Sequence, residues 1–380
     1  LFLLKKNAEI GQLFSKMKEI TKIIAFYERL KSTSDTACAL AVVVYVEGSS
    51  YRRTGARMLV SEDGFWEGGI SGGCLEGDAL KKARMSILKS KPEMVRYDTT
   101  KDDDSQIGVG LGCNGVIDVL FIPVDFADSH NPIEILKNGV NQTKGPLITI
   151  TKSENNARLL GKMFYFDSKE SLAFLENQTD VSSFSDEISN LEKSKNYNFG
   201  NELRLFVEIL PKPITVYLFG NQYDIYPLIE LLKLMYWEVR IVSEPHKVQN
   251  RNDLRIIAPN DFLENDLDEN SAVVLMSHSL ETDKKNLQKL SGSKTKYIGM
   301  LGPKTRSERI LDELSAEGIK IETQNIFAPT GLDLGASTPE EIALSIVAEI
   351  KAVFSSRNGS FLKERDLPIN ERNQEIFKFN

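Results

Sequence analysis

The sequence predicts an α/β protein of two domains: an α+β N-terminal domain, then a Rossmann-like domain built on a doubly wound parallel sheet. Three observations carry that expectation. Beyond residue 206, short apolar runs alternate with helix-length amphipathic segments, the signature of crossover connections and a parallel sheet. The first 176 residues mix helical spacing with hairpin-like runs instead. Between the two, the composition turns to Ser, Asn, Asp, Glu and Lys, which is linker chemistry. The expected division is 1–176 for the N-terminal domain, 177–205 for a polar linker, 206–356 for the Rossmann-like domain and 357–380 for a polar, less ordered tail.

Taken in order, Leu13, Phe14, Met17, Ile20, Ile24 and Tyr27 recur at the spacing of one helical face and predict an amphipathic opening helix. Strand-like runs follow at Cys38–Val46 and Ala56–Val60, with Asp63-Gly64 turning the chain toward Phe65 and Trp66. A helix is expected over Leu75–Lys89 and a strand over Val116–Pro123, then strands at Leu147–Ile150 and Arg158–Phe166 joined by a polar turn. In the second half, strands are expected at Ile214–Phe219, Val239–Ser243, Arg255–Ala258, Ala272–Ser277 and Lys296–Leu301. Helices are expected near Asp224–Leu234 and over Glu281–Leu290, Thr305–Glu317 and Pro339–Phe354. The last of these opens on a capping box, with Thr338 as N-cap, Pro339 at the first helical position and Glu341 reaching back.

Composition narrows the function classes. With 380 residues, 41% hydrophobic and 27% charged, the chain has material for a sizeable core, and a net charge of −7 argues against nucleic acid as a principal partner. The longest apolar run, Ala37–Val46, is about half of what a membrane-spanning helix requires, so no membrane partner is expected and the location is read as cytoplasmic. The opening LFLLKK reads as an incomplete or processed start rather than a secretory signal. Cys38, Cys74 and Cys113 are odd in number with no CxxC pair, and His130, His246 and His278 form no HExxH pattern. A disulfide framework and a zinc hydrolase both lack their residues. Cys38, inside an apolar run, is expected to be an inert core residue.

Several stretches carry chemistry. Gly48-Ser-Ser-Tyr-Arg52-Arg53-Thr-Gly55-Ala-Arg57 precedes Gly68-Gly69-Ile-Ser71-Gly72-Gly73-Cys74-Leu-Glu76, and the pair offers glycine backbone, hydroxyls and three arginines to an anion. The alternative is a hairpin with glycine turns and solvated arginines. Cys74 stands before a helix N-terminus, which lowers a thiol pKa and suits a soft-metal or sulfur ligand. Cys113 lies in a second glycine cluster with Gly108, Gly110, Gly112 and Gly115. In the second half, Gly220 is the one glycine of a GxGxxG fingerprint present, since Gln222 and Ile225 hold the other places, and Ser243 stands where an acid is expected. His278 falls at a strand's carboxyl end, where open α/β sheets bind ligands, although a histidine satisfied by neighbouring backbone is an equal reading. Lys304 and Arg306 sit in the first turn of a helix, where cations are disfavoured by about 0.3–1 kcal/mol each unless an anion is bound. The Gly331–Gly335 segment with Asp333 exceeds what a capped helix needs.

Together GSSYRRTGARM, GGISGGCLE, GLGCNG, VVLMSHSLETD, YIGMLGPKTR and PTGLDLGASTPEEIALSIVAEI resemble, in order from about Ala37 to Phe354, the XdhC/CoxI family of molybdenum hydroxylase maturation factors. The resemblance implies an XdhC-type N-terminal domain joined to a Rossmann-like one. It also implies binding of molybdenum cofactor and its delivery, with a terminal sulfido ligand, to xanthine dehydrogenase or a related hydroxylase apoenzyme. A cysteine desulfurase partner and a homo-oligomer are further expectations, and the chain is read as an insertion chaperone rather than an enzyme. Arg52, Arg57, Gly72, Gly73, Cys74, Glu76, Gly112 and Cys113 fall in the family's first motifs; Gly220, His278, Asp283, Lys304, Arg306 and Asp333 fall in the second set. Either Cys74 or Cys113 is the candidate molybdenum or sulfur ligand. Departures at Gln222, Ser243 and Ser279 argue against NAD(P) binding. The alternatives are an NAD(P)-dependent oxidoreductase and a non-catalytic regulatory scaffold.

Overall fold

A computed structural model describes residues 10–33, 36–48, 52–73, 75–98, 115–141, 145–176, 180–210, 212–249, 253–364 and 376–379. The chain divides into two compact units, one of residues 15–211 and 372–380, the other of residues 1–14 and 212–371.

In the first unit, helix α1 (Ile10–Thr33) is followed by strands β1 (Cys38–Gly48), β2 (Arg57–Ser61) and β3 (Trp66–Gly68), then helix α2 (Glu76–Lys89). Strands β4 (Glu93–Asp98) and β5 (Gly115–Val124), helix α3 (Pro132–Asn141) and strands β6 (Leu147–Ser153) and β7 (Met163–Tyr165) come next. Helix α4 (Val181–Ser189) and strands β8 (Lys195–Phe199) and β9 (Leu203–Glu208) complete the run. One sheet has the order β3-β2-β1-β5-β4, and all its pairings are antiparallel. Its central strand β1 is buried on both faces because its two alternating residue sets both find partners. Cys38, Leu40, Val42 and Val44 pack with Ile20, Ile23 and Tyr27 of α1 and with Leu147 and Phe206 of the second sheet. The smaller Ala39, Ala41 and Val43 pack under Ala79 and Ala83 of α2. Burial pushes the Cys38 thiol up to about 12, as an inert core residue requires.

The expected linker at 177–205 is corrected by this unit. Phe184 and Ile188 of α4 pack on Tyr197, Phe199, Leu203, Leu205 and Val207, so the polar stretch holds a helix and two strands with their own core. The burial along β9 is strand patterning that the polar flanks obscure in the sequence. Helix α3 and strand β4 are further elements beyond those the sequence pattern predicts.

In the second unit, β10 (Thr215–Phe219), helix α5 (Ile225–Leu234), β11 (Glu238–Val242), β12 (Arg255–Ile257) and β13 (Ser271–Leu275) lead to helix α6 (Leu280–Lys289). Then come β14 (Tyr297–Met300), helix α7 (Lys304–Ala316), β15 (Ile326–Phe327) and helix α8 (Pro339–Phe354). The sheet order is β12-β11-β10-β13-β14-β15, and every pairing is parallel. Counted within the unit this is 3-2-1-4-5-6, the dinucleotide-fold order, and the predicted doubly wound parallel sheet is present. Helices α5 and α8 pack on one face, α6 and α7 on the other. The capping box forms as expected, with Glu341 N–H donating to Thr338 Oγ1 at 3.3 Å and Thr338 N–H to Glu341 Oε2 at 3.0 Å. Within the expected polar tail, β16 (Ile376–Phe379) pairs in parallel with β8, so the sheet of the first unit reads β16-β8-β9-β6-β7.

Candidate functional site

In the first unit the edge hairpin β2–β3, the glycine loop after it and α1 border an open cleft of about 560 Å³. Lys18, Lys22 and Arg52 line it with Glu19, Glu67 and Glu76, and Trp66 presents a half-exposed indole. Positive and negative side chains are equal in number here, and several are paired. Arg52 is ion-paired with Glu19, and Lys22 Nζ stands 3.7 Å from Glu67. Desolvation, partly countered by the charge of Glu76, lowers the Arg52 guanidinium from its ordinary value. Glu19 has a second duty, since its Oε1 accepts the Arg57 N–H at 2.6 Å and so fixes the start of β2.

The loop Gly69–Glu76 departs from its expected role. Ser71 N–H donates to Glu76 Oε1 at 2.8 Å and the Ser71 hydroxyl donates to Oε2, while that hydroxyl accepts from Leu75 N–H at 3.0 Å and Gly73 N–H at 3.2 Å. The cradle is thus filled by the chain's own carboxylate. Burial alone would raise the Glu76 pKa, but hydrogen bonds from Ser71 and from backbone N–H groups outweigh it and hold the carboxyl below its ordinary range. Gly68 is required where it stands: at φ +88° a Cβ would lie 2.3 Å from the Arg57 carbonyl oxygen. Gly72 and Gly73 are exposed at the rim.

Arg57 is the clearest correction. It is fully buried, donates to the Gly55 carbonyl at 2.6 Å and is paired with Glu208, itself fully buried on β9. No guanidinium surface remains for a ligand. Removing one partner of such a pair typically costs 3–5 kcal/mol, a large share of the stability of a small domain. Cys74, Gly112 and Cys113 lie outside the described residues, and among the described residues no cluster of three His, Cys, Asp or Glu could hold a metal ion.

In the second unit the candidates gather beyond the carboxyl ends of the strands. Gly220 follows β10, and a Cβ there would lie 2.5 Å from the Met276 carbonyl oxygen, so the close approach that needs glycine is to the neighbouring strand. Asn221 Nδ2 donates to Ser243 Oγ at 3.0 Å across the ends of β10 and β11. His278, beyond β13, has φ +59° and places Nε2 2.7 Å from Asp224 Oδ2 at the start of α5. Asp283 is buried: it accepts from the Ser277 hydroxyl at 2.5 Å and from Arg306 Nη2 at 2.8 Å. Both expected ligands are engaged in holding the β13–α6 and β14–α7 loops. Lys304 is exposed at the first position of α7, 3.8 Å from Glu308, and Asp333 is exposed. Thr330 and Gly331 are anchored inward, through Tyr297 and Glu349. Asp224 is not evident from sequence because an acid at a helix start is explained by the helix dipole alone.

A Rossmann-type unit with this strand order, joined to a mixed-sheet unit that carries an arginine and tryptophan cleft, defines a two-part protein class. Residues 216–350 match the model of the XdhC Rossmann domain, and residues 32–98 match that of the XdhC and CoxI family. The chain belongs to the XdhC and CoxI family. It is 28% identical over 322 residues to a probable xanthine dehydrogenase subunit of Bacillus subtilis (strain 168), covering 82% of this chain and 91% of that one. It is 23% identical to the molybdenum cofactor insertion chaperone PaoD of Escherichia coli (strain K12), over 84% of each. A crystal structure of a xanthine dehydrogenase from Bacillus halodurans superposes with a TM-score of 0.64 at 27% identity, covering 89% of this chain and 97% of that one.

Proposed function

We propose that this protein is a maturation factor that binds molybdenum cofactor and delivers it to a molybdenum hydroxylase such as xanthine dehydrogenase. The observation that carries the reading is the similarity to PaoD, an insertion chaperone by name, over 84% of both chains. The cleft in the first unit is chemically suited to such cargo. A pterin with a phosphate needs an aromatic face, a cation and hydrogen-bond acceptors, and Trp66, Arg52 and Glu67 supply one of each. The equal numbers of acids and bases favour a ligand that is both donor-rich and anionic over bare phosphate. Delivery of a sulfurated cofactor, with a cysteine desulfurase as a second partner, a homo-oligomeric state and a cytoplasmic location, belong to the same proposal; among the described residues no helix is long and apolar enough to cross a membrane.

The test is to purify the protein from a cofactor-producing host and measure bound molybdenum and the fluorescence of oxidised pterin. Arg52→Ala, Trp66→Ala, Cys74→Ala and Cys113→Ala stand beside the unaltered chain. Co-purification lost in the cleft variants is expected. Absence of pterin from every sample, with no saturable binding when cofactor is added, overturns the reading.

A further inference from the structure

We propose that Asp224 and His278 form a proton-transfer centre at the switch point of the parallel sheet, acting on a small ligand that presents a hydroxyl or a thiol. Three independent observations meet at this spot. The first is its place in the fold: β10 and β13 are neighbours in register, while the helices that follow them, α5 and α6, pack on opposite faces of the sheet. The chain therefore parts above Gly220 and Met276, where open α/β sheets hold their ligands.

The second is backbone strain. Among the described residues four non-glycines have positive φ: Ser90, Tyr236, His278 and Ser356. Three of them come just after a helix ends, where a left-handed residue is an ordinary terminator. His278 instead leaves a strand and enters a helix. The loop forces this conformation, because Ser277 on one side is held by Asp283 and Ser279 on the other is the N-cap of α6, accepting from Thr282 N–H at 3.3 Å. Strain held in place by its surroundings in this way concentrates at functional positions.

The third is polarity. The Asp224 carboxylate is mostly buried, with Oδ2 on His278 and Oδ1 shielded from solvent without a hydrogen-bond partner, while the His278 side chain is half exposed. A carboxylate oxygen accepts, so the tautomer that pairs with Asp224 carries its proton on Nε2 and leaves the Nδ1 lone pair for a ligand. In the proposed step that lone pair takes the proton as the ligand's O–H or S–H bond breaks. The bonding electrons stay on the ligand oxygen or sulfur, and Asp224 balances the imidazolium. The centre is independent of the cofactor cleft and stands or falls separately from it.

The full chain contains only three histidines, so ¹⁵N-histidine labelling with His130→Gln and His246→Gln as references assigns each ring. His278 is expected as the Nε2–H tautomer, and Asp224→Asn is expected to give a mixture without changing the fold. Hydrolysis of p-nitrophenyl acetate reads reactivity: Nδ1 accepts a proton from water, the oxygen attacks the carbonyl, and nitrophenolate leaves with the bonding pair. We expect His278→Gln to lower the protein-dependent rate by roughly tenfold or more and Asp224→Asn by several-fold, with His130→Gln and His246→Gln unchanged. A protonated Nδ1 in the unaltered protein overturns the proposal, as does a His278→Gln rate equal to that of the unaltered chain.

Discussion

From Ser71 to Glu76 in the first unit, a serine hydroxyl, three backbone N–H groups and a carboxylate hydrogen-bond one another, and across the cleft Arg52 is already matched by Glu19. From Ser277 to Ser279 in the second unit, the flanking serines are equally well anchored, yet the residue between them is strained and its partner Asp224 keeps an unpaired oxygen. The first region has settled its charges internally and offers a shaped, balanced surface. The second holds its tension for use. Glycine richness marks the first region in the sequence, while the second, from Ala272 to Asp283, contains no glycine.

The contrast is sharpest where one partner is removed. Arg57→Met takes the guanidinium from the buried Glu208 carboxylate, and we expect a loss of about 3–5 kcal/mol in denaturant melts, with Arg57→Met/Glu208→Met recovering most of it. Arg52→Ala leaves the buried Glu19 carboxylate the Arg57 N–H as a partner, so it should cost less in the melt than Arg57→Met while weakening cofactor binding roughly tenfold or more, measured by titration. Equal effects of the two arginine variants on stability would erase the distinction between core and cleft. Of His278→Ala and His278→Gly, which lose the Asp224 contact alike, the glycine variant should be the more stable by about 1 kcal/mol, because glycine adopts the left-handed region without strain; equal melts would mean that the backbone there is not strained.

The smallest effect is one of pH. The folded-state pKa of Glu76 lies below its unfolded value near 4.5, so its stabilisation is present above that value and is lost as pH falls through the folded pKa. Glu76→Gln should therefore flatten the acid limb of a melting-temperature profile and leave the neutral region nearly unchanged. An identical acid limb in both proteins would show that the loop does not hold an ionised carboxylate.

The parallel sheet is legible in the sequence because its central strands are apolar runs long enough to be buried on both faces, bounded by turn residues. The burial of Arg57 is not, because its partner Glu208 lies 151 residues away, just past a stretch whose Ser, Asn and Lys content masks Phe184, Ile188, Tyr197 and Leu205. Glu76 reads as a ligand because sequence shows a carboxylate beside glycines but not the turn that bends it back onto Ser71. Asp283 and Arg306 belong to one constellation, as their motifs imply, and pair with each other.

The parallel pairing of β16 with β8 joins residues 376–379 to residues 196–199, across all of the Rossmann-type unit in sequence. During synthesis, therefore, the last strand of the N-terminal sheet is made only after the whole of residues 212–371 has been translated. The edge of β8 spends that interval without its neighbour, open to pairing with another nascent chain, and a chain truncated after α8 would carry the open edge permanently.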